Sequence, residues 1–101
     1  MASFNDIDKC GELHTGEFGV FNVLGITVAT NGYQGGDSGH GGRTYISIED
    51  LGSCDMDAKV SCNFNGNAKV EIMLGGDSEL DTIIESLRWA ADRLEYIKNH
   101  Q

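Results

Sequence analysis

No run of about 18 apolar residues occurs anywhere in the chain, and no basic-then-apolar segment opens it, so neither a bilayer-spanning helix nor a secretory signal is expected. Basic residues are scarce: seven against sixteen acids, for a net charge of −9. A field of that sign repels nucleic-acid backbones and argues against direct DNA or RNA binding. It suits solubility, a basic protein partner or a cation-dependent site. Cysteine is scarce too. Cys10, Cys54 and Cys62 are an odd number without close spacing, which excludes a disulfide framework and points to a reducing, cytoplasmic setting. Cys10, His14, His40 and Cys54 could in principle ligate zinc. No C-x-x-C pair supports that, and neither a metal nor a cofactor is expected.

What is present is enough for one globular domain over residues 1–101. Apolar residues make up 40% of the sequence and charged ones 23%, too apolar for a disordered chain. A chain this short buries a modest share of its surface, so a homo-oligomer is expected to help its stability.

The clearest local pattern runs from Asp55 to Leu74. Met56, Ala58, Val60, Cys62 and Phe64 alternate with polar neighbours, and Ala68, Val70, Ile72 and Leu74 resume the alternation after Asn65-Gly66-Asn67. This is a hairpin with one apolar face. A three-residue loop would pair Phe64 with Ala68, Cys62 with Val70 and Val60 with Ile72, keeping every apolar side chain on that face.

After Gly75-Gly76, Asp77 or Ser78 can cap a helix whose apolar stripe reads Leu80, Ile83, Ile84, Leu87, Ala90 or Ala91, Leu94 and Ile97. It is expected to cover the sheet, with Trp89, Arg93 and Tyr96 on its flank as an edge contact or a partner surface. Upstream, Glu17 to Thr30 reads as one long strand or two joined by a bend at Gly25. Arg43 to Asp50 reads as another, with Thr44, Ile46 and Ile48 inward. The expected fold is α+β: about four mostly antiparallel strands packed against one C-terminal amphipathic helix.

Between two of those strands, five of the nine residues from Gly35 to Arg43 are glycine. So many glycines fit either a mobile hairpin tip, a protein-contact loop or a backbone that approaches a ligand closely. The candidate ligand-binding set is Tyr33, Gly35, Gly36, Asp37, Ser38, Gly39, His40, Gly41, Gly42, Arg43 and Tyr45. Arg43 offers a fork for phosphate, Ser38 and His40 can donate hydrogen bonds, and Asp37 can hold a ribose hydroxyl or orient His40. Tyr33 or Tyr45 can stack on a base.

Gly36-Asp37-Ser38-Gly39 matches the nucleophile segment of trypsin-like proteases, but the chain is far too short for their two barrels. No lysine follows the glycines, and they lead into a strand, so neither a phosphate-loop nor a dinucleotide fingerprint is present. Asp37 and His40 could serve as an acid–base pair, but no nucleophile accompanies them and no catalytic residue is assigned.

The segment Asn31 to Thr44, together with Gly75-Gly76-Asp77-Ser78-Glu79-Leu80 before a terminal helix, resembles small uncharacterised bacteriophage proteins. The resemblance implies an infected bacterial cytoplasm and an antagonist of host defence. Two partner classes follow: a nucleotide-like immune signal that the protein sequesters without turnover, or a host defence protein that an acidic surface inhibits. For the latter, Asp55, Asp57, Glu79, Asp81 and Glu85 are the candidate contacts.

Overall fold

In a computed structural model, which describes residues 3–20, 23–36, 41–52 and 55–101, the chain forms five strands and two helical segments. A 3-10 helix over Phe4–Cys10 comes first; β1 (His14–Phe18), β2 (Val23–Thr30), β3 (Thr44–Gly52), β4 (Met56–Cys62) and β5 (Ala68–Leu74) follow, and α1 (Asp77–Asn99) ends the chain. The α+β class is as the alternation patterns require. The strands divide into two antiparallel sheets, β1-β2-β3 and β4-β5.

Of the two expected arrangements of Glu17 to Thr30, the structure has two strands, but they are not joined at Gly25. The break follows Phe18, and Gly25 lies inside β2, paired with Glu17 and Glu49. Gly25 is smooth strand because Leu51 packs where its side chain would be; a β-carbon there would meet Leu51 Cδ1 at 2.7 Å. As the central strand, β2 is covered on both faces: Leu24, Ile26, Val28 and Ala29 have no exposed surface. Ile26, Val28 and Ala90 form the core, with Phe18, Ile48, Trp89 and Leu94 packed around it.

The terminal helix forms where its periodicity places it, but Gly76 and not Asp77 or Ser78 stands at its N-cap, with no side-chain cap, and it is turned about its axis from the expected orientation. Glu79, Thr82, Ser86 and Ala90 are the buried residues, whereas Leu80, Ile84 and Leu87 are 57%, 40% and 47% exposed. Small side chains on the inner face let the helix approach β2 closely, and the polar ones remain satisfied. Thr82 donates to the Ser78 carbonyl at 2.9 Å and Ser86 to that of Ile83 at 3.1 Å.

Trp89 settles the rotation. It lies over Gly16 and Phe18 of β1, where a β-carbon on Gly16 would stand 2.8 Å from the Phe18 ring and 3.2 Å from Trp89. The two rings meet in a tilted contact with centroids 5.7 Å apart. The Arg93 guanidinium lies between the Trp89 and Tyr96 rings, 5.8 and 5.4 Å from their centroids.

The β4–β5 hairpin keeps its apolar residues on one face, in a register two residues from the expected one. Cys62 pairs with Ala68, Val60 with Val70, Ala58 with Ile72 and Met56 with Leu74. The loop is longer because Asn63 organises it: its side-chain oxygen accepts from the amides of Asn65 at 2.9 Å and Asn67 at 3.0 Å. Gly66 takes φ +85° there. Phe64 consequently leaves the strand and is 98% exposed. The helix does not cover this hairpin; it packs on β1 and β2, and among the described residues β4 and β5 contact chiefly each other.

Candidate functional site

The glycine-rich segment leaves the end of β2 and returns at the start of β3, and its neck is built by one side chain. Asn31 donates from Nδ2 to the Gly41 carbonyl at 3.0 Å and accepts the Arg43 amide on Oδ1 at 2.8 Å. Its own amide donates to the Arg43 carbonyl at 3.2 Å, extending the β2–β3 ladder by one rung. Thr30 and Thr44 hydroxyls are 3.0 Å apart below it, and Thr30 also accepts the Gly32 amide at 3.1 Å. Gln34 closes the first turn by donating to the Asn31 carbonyl at 2.7 Å. An asparagine amide mimics a peptide group, which is how one side chain holds both ends of the excursion. The sequence carries no stronger sign of this role than an Asn-Gly pair at a strand end.

Arg43 occupies a position of its own. Its Nε donates to Asp6 Oδ2 at 2.7 Å, and Nη1 donates to the Gly42 carbonyl at 2.8 Å. Only 16% of its side chain is exposed. The guanidinium beside Asp6 holds that carboxyl below the ordinary aspartate range, and Lys9, 3.4 Å away, acts in the same direction. Arg43 therefore ties the N-terminal 3-10 helix to the neck of the loop. Sequence reasoning assigned it to phosphate without the Asp6 partner, which lies 37 positions away and leaves no local trace.

Two open cavities adjoin at the loop. One, of about 470 Å³, is lined by residues 32–36 with Gly42, Arg43 and Thr44. The other, about 410 Å³, lies between Thr30, Gly32, Tyr33 and Thr44 on one side and Leu94, Glu95 and Lys98 of α1 on the other. Tyr33 belongs to both and is 85% exposed. Its ring sits 5.3 Å from the Lys98 ammonium. Lys98 is the basic residue of the last turn of α1; its pairing with Tyr33 depends on the end of α1 meeting the end of β2.

Of the sequence-derived set, Tyr33, Gly35, Gly36, Gly42 and Arg43 line the loop cavity. Gly41 serves the neck through its carbonyl. Asp37, Ser38, Gly39 and His40 lie outside the described residues. Tyr45 is separated from Tyr33: strand alternation turns it to the other face of β3, where it lines a cavity of about 380 Å³ with Phe4, Ile7, Cys10 and Val70. Among the described residues no three His, Cys, Asp or Glu side chains converge as metal ligands. Cys10 is buried in the 3-10 helix, and Cys62 is exposed on the hairpin. No described helix is long and apolar enough to cross a membrane. Compared with protein-family models, curated proteins and solved structures, the chain matches none.

Proposed function

We propose that the chain is a non-enzymatic binding protein that captures a phosphorylated small molecule of nucleotide type at the glycine-rich loop. In this reading it serves a bacteriophage, in the cytoplasm of the infected host, by sequestering a nucleotide immune signal. The observation that carries the reading is the exposed Tyr33 ring beside the Lys98 ammonium at the junction of two open cavities. An exposed aromatic ring offers a stacking surface for a base, and an adjacent ammonium offers a counter-charge for phosphate. Backbone amides of Gly35 and Gly36, with Ser38 and His40, would complete the anion contacts. Arg43, occupied by Asp6, would position the loop.

A thermal-shift screen against cyclic and linear nucleotides tests this. A ligand at a hundredfold excess over its dissociation constant adds about 2.7 kcal/mol, a rise of roughly 10–20 °C for a domain of this size. Tyr33→Ala and Lys98→Ala should each reduce the shift. If no nucleotide moves the parent protein, or both variants respond as it does, the reading fails.

The second reading is an acidic inhibitor of a host defence protein. It is favoured by the exposed acids Asp55 and Asp57 together with Asp81 and Glu85 of α1. Glu79 drops out of that surface because it is 5% exposed. Complex formation that weakens steeply with salt would distinguish this reading from nucleotide capture.

A further inference from the structure

The first helical segment is seven residues of 3-10 helix, long for that geometry. At three residues per turn, side chains three apart stand in line. Phe4, Ile7 and Cys10 therefore form one ridge, and Asp6 and Lys9 a second. The apolar ridge borders the edge of β3, the last strand of its sheet. Tyr45 and Ile46, which strand alternation sends to opposite faces, line one cavity together with that ridge, so the cavity wraps the strand edge. Val70 of β5 supplies a third wall.

This space of about 380 Å³ has the size of a small-ligand site and the same kind of lining, apolar and aromatic side chains with a few polar groups. Its walls come from three separate elements, yet they stay wet. Ile7, Ile46 and Val70 are 37%, 54% and 70% exposed, whereas Cys10, at 4%, is the most buried residue of the lining. Apolar side chains that converge without closing on one another leave a surface that an apolar body would cover.

The polar part of the lining holds unmatched donors. Arg43 uses one of its five N–H groups on Asp6 and one on the Gly42 carbonyl. Among the described residues, the other three have no acceptor in the chain. Asp6 is shared between Arg43 and Lys9, at 2.7 and 3.4 Å. The trio therefore keeps one positive charge in a chain of net charge −9. A carboxylate complements that charge and can take two guanidinium N–H groups at once.

We infer that the cavity between the 3-10 helix, the edge of β3 and β5 is a second binding site, for a small carboxylic acid with an apolar body. The carboxylate takes the remaining N–H groups of Arg43, and the body covers Ile7, Ile46 and Val70. Arg43 also lines the loop cavity, but these apolar walls do not. The site stands apart from the nucleotide reading, and its test leaves Tyr33 and Lys98 untouched.

Calorimetric titration of the full chain with hexanoate, octanoate and decanoate, below their micelle concentrations, tests this. Binding should be one to one and should tighten about fourfold per added methylene until the cavity is full. Decanol, which has the body without the charge, should bind about tenfold or more weakly than decanoate does. Ile46→Glu should abolish decanoate binding. Cysteine reactivity locates the ligand without mutation. With decanoate at about ten times its dissociation constant, alkylation of Cys10 should slow roughly tenfold, while the exposed Cys62 reacts as before. Absence of decanoate binding, equal affinity for decanol, binding indifferent to Ile46→Glu, or binding that leaves Cys10 unprotected would each overturn the inference. So would Cys10 protection that grows with protein concentration alone, since a second copy would then be the occupant.

Discussion

Replacing Ile26 by alanine probes whether stability centres on β2 and the inner face of α1. Ile26 has no exposed surface and sits in the core with Val28 and Ala90. The substitution removes three carbon atoms, worth about 2.5 kcal/mol in transfer from water at about 0.8 kcal/mol each. The cavity left behind adds to this, and isoleucine-to-alanine changes in cores cost about 2–5 kcal/mol. Phe18, Ile48, Trp89 and Leu94 around the site are only partly buried, so they can shift inward and hold the cost near 3–4 kcal/mol. For a chain of this length that lowers Tm by roughly 12–30 °C. Urea denaturation followed by circular dichroism, at one protein concentration for parent and variant, reads the difference directly. Val60→Ala is the comparison: because Val60 is 77% exposed, it should stay within about 0.5 kcal/mol. An Ile26→Ala loss below about 1 kcal/mol would refute a core built on β2.

The Asp6–Arg43 pair predicts a pH dependence. Because the folded-state pKa of Asp6 is lowered, its contribution is present at pH values above the ordinary aspartate pKa and is lost as pH falls below it through the folded value. Asp6→Asn should flatten that part of the acid-denaturation curve; an unchanged curve would show that the pair contributes nothing. In the hairpin loop, Gly66→Ala has open space for its β-carbon but must adopt φ +85°. It should therefore destabilise the hairpin by about 1–2 kcal/mol, visible as faster amide exchange in β4 and β5, and unchanged exchange would contradict the turn geometry.

Local features of this protein follow from sequence alone because their causes are local. Period-two alternation fixes the hairpin faces, Gly75-Gly76 and the acids after them mark the helix start, and glycine density marks the loop. Patterning alone misjudged the rotation of α1. Leu80, Ile84 and Leu87 look like a core stripe, yet Trp89 filling the space over Gly16 and the close fit of Ser86 and Ala90 to β2 turn them outward. That choice depends on which strands lie beneath the helix, which no periodicity records. The hairpin register likewise turned on Asn63 capturing two amides.

At the loop, the same division holds. Chain order alone placed Tyr33 and Arg43 at the ends of a glycine-rich excursion, while tertiary structure decided their roles. It brought Asp6 to Arg43 from 37 residues away and the last turns of α1, with Lys98, to Tyr33. Composition and spacing specify what a segment is able to do. Only the meeting of distant segments decides which of its charges are already matched and which surfaces are left facing water.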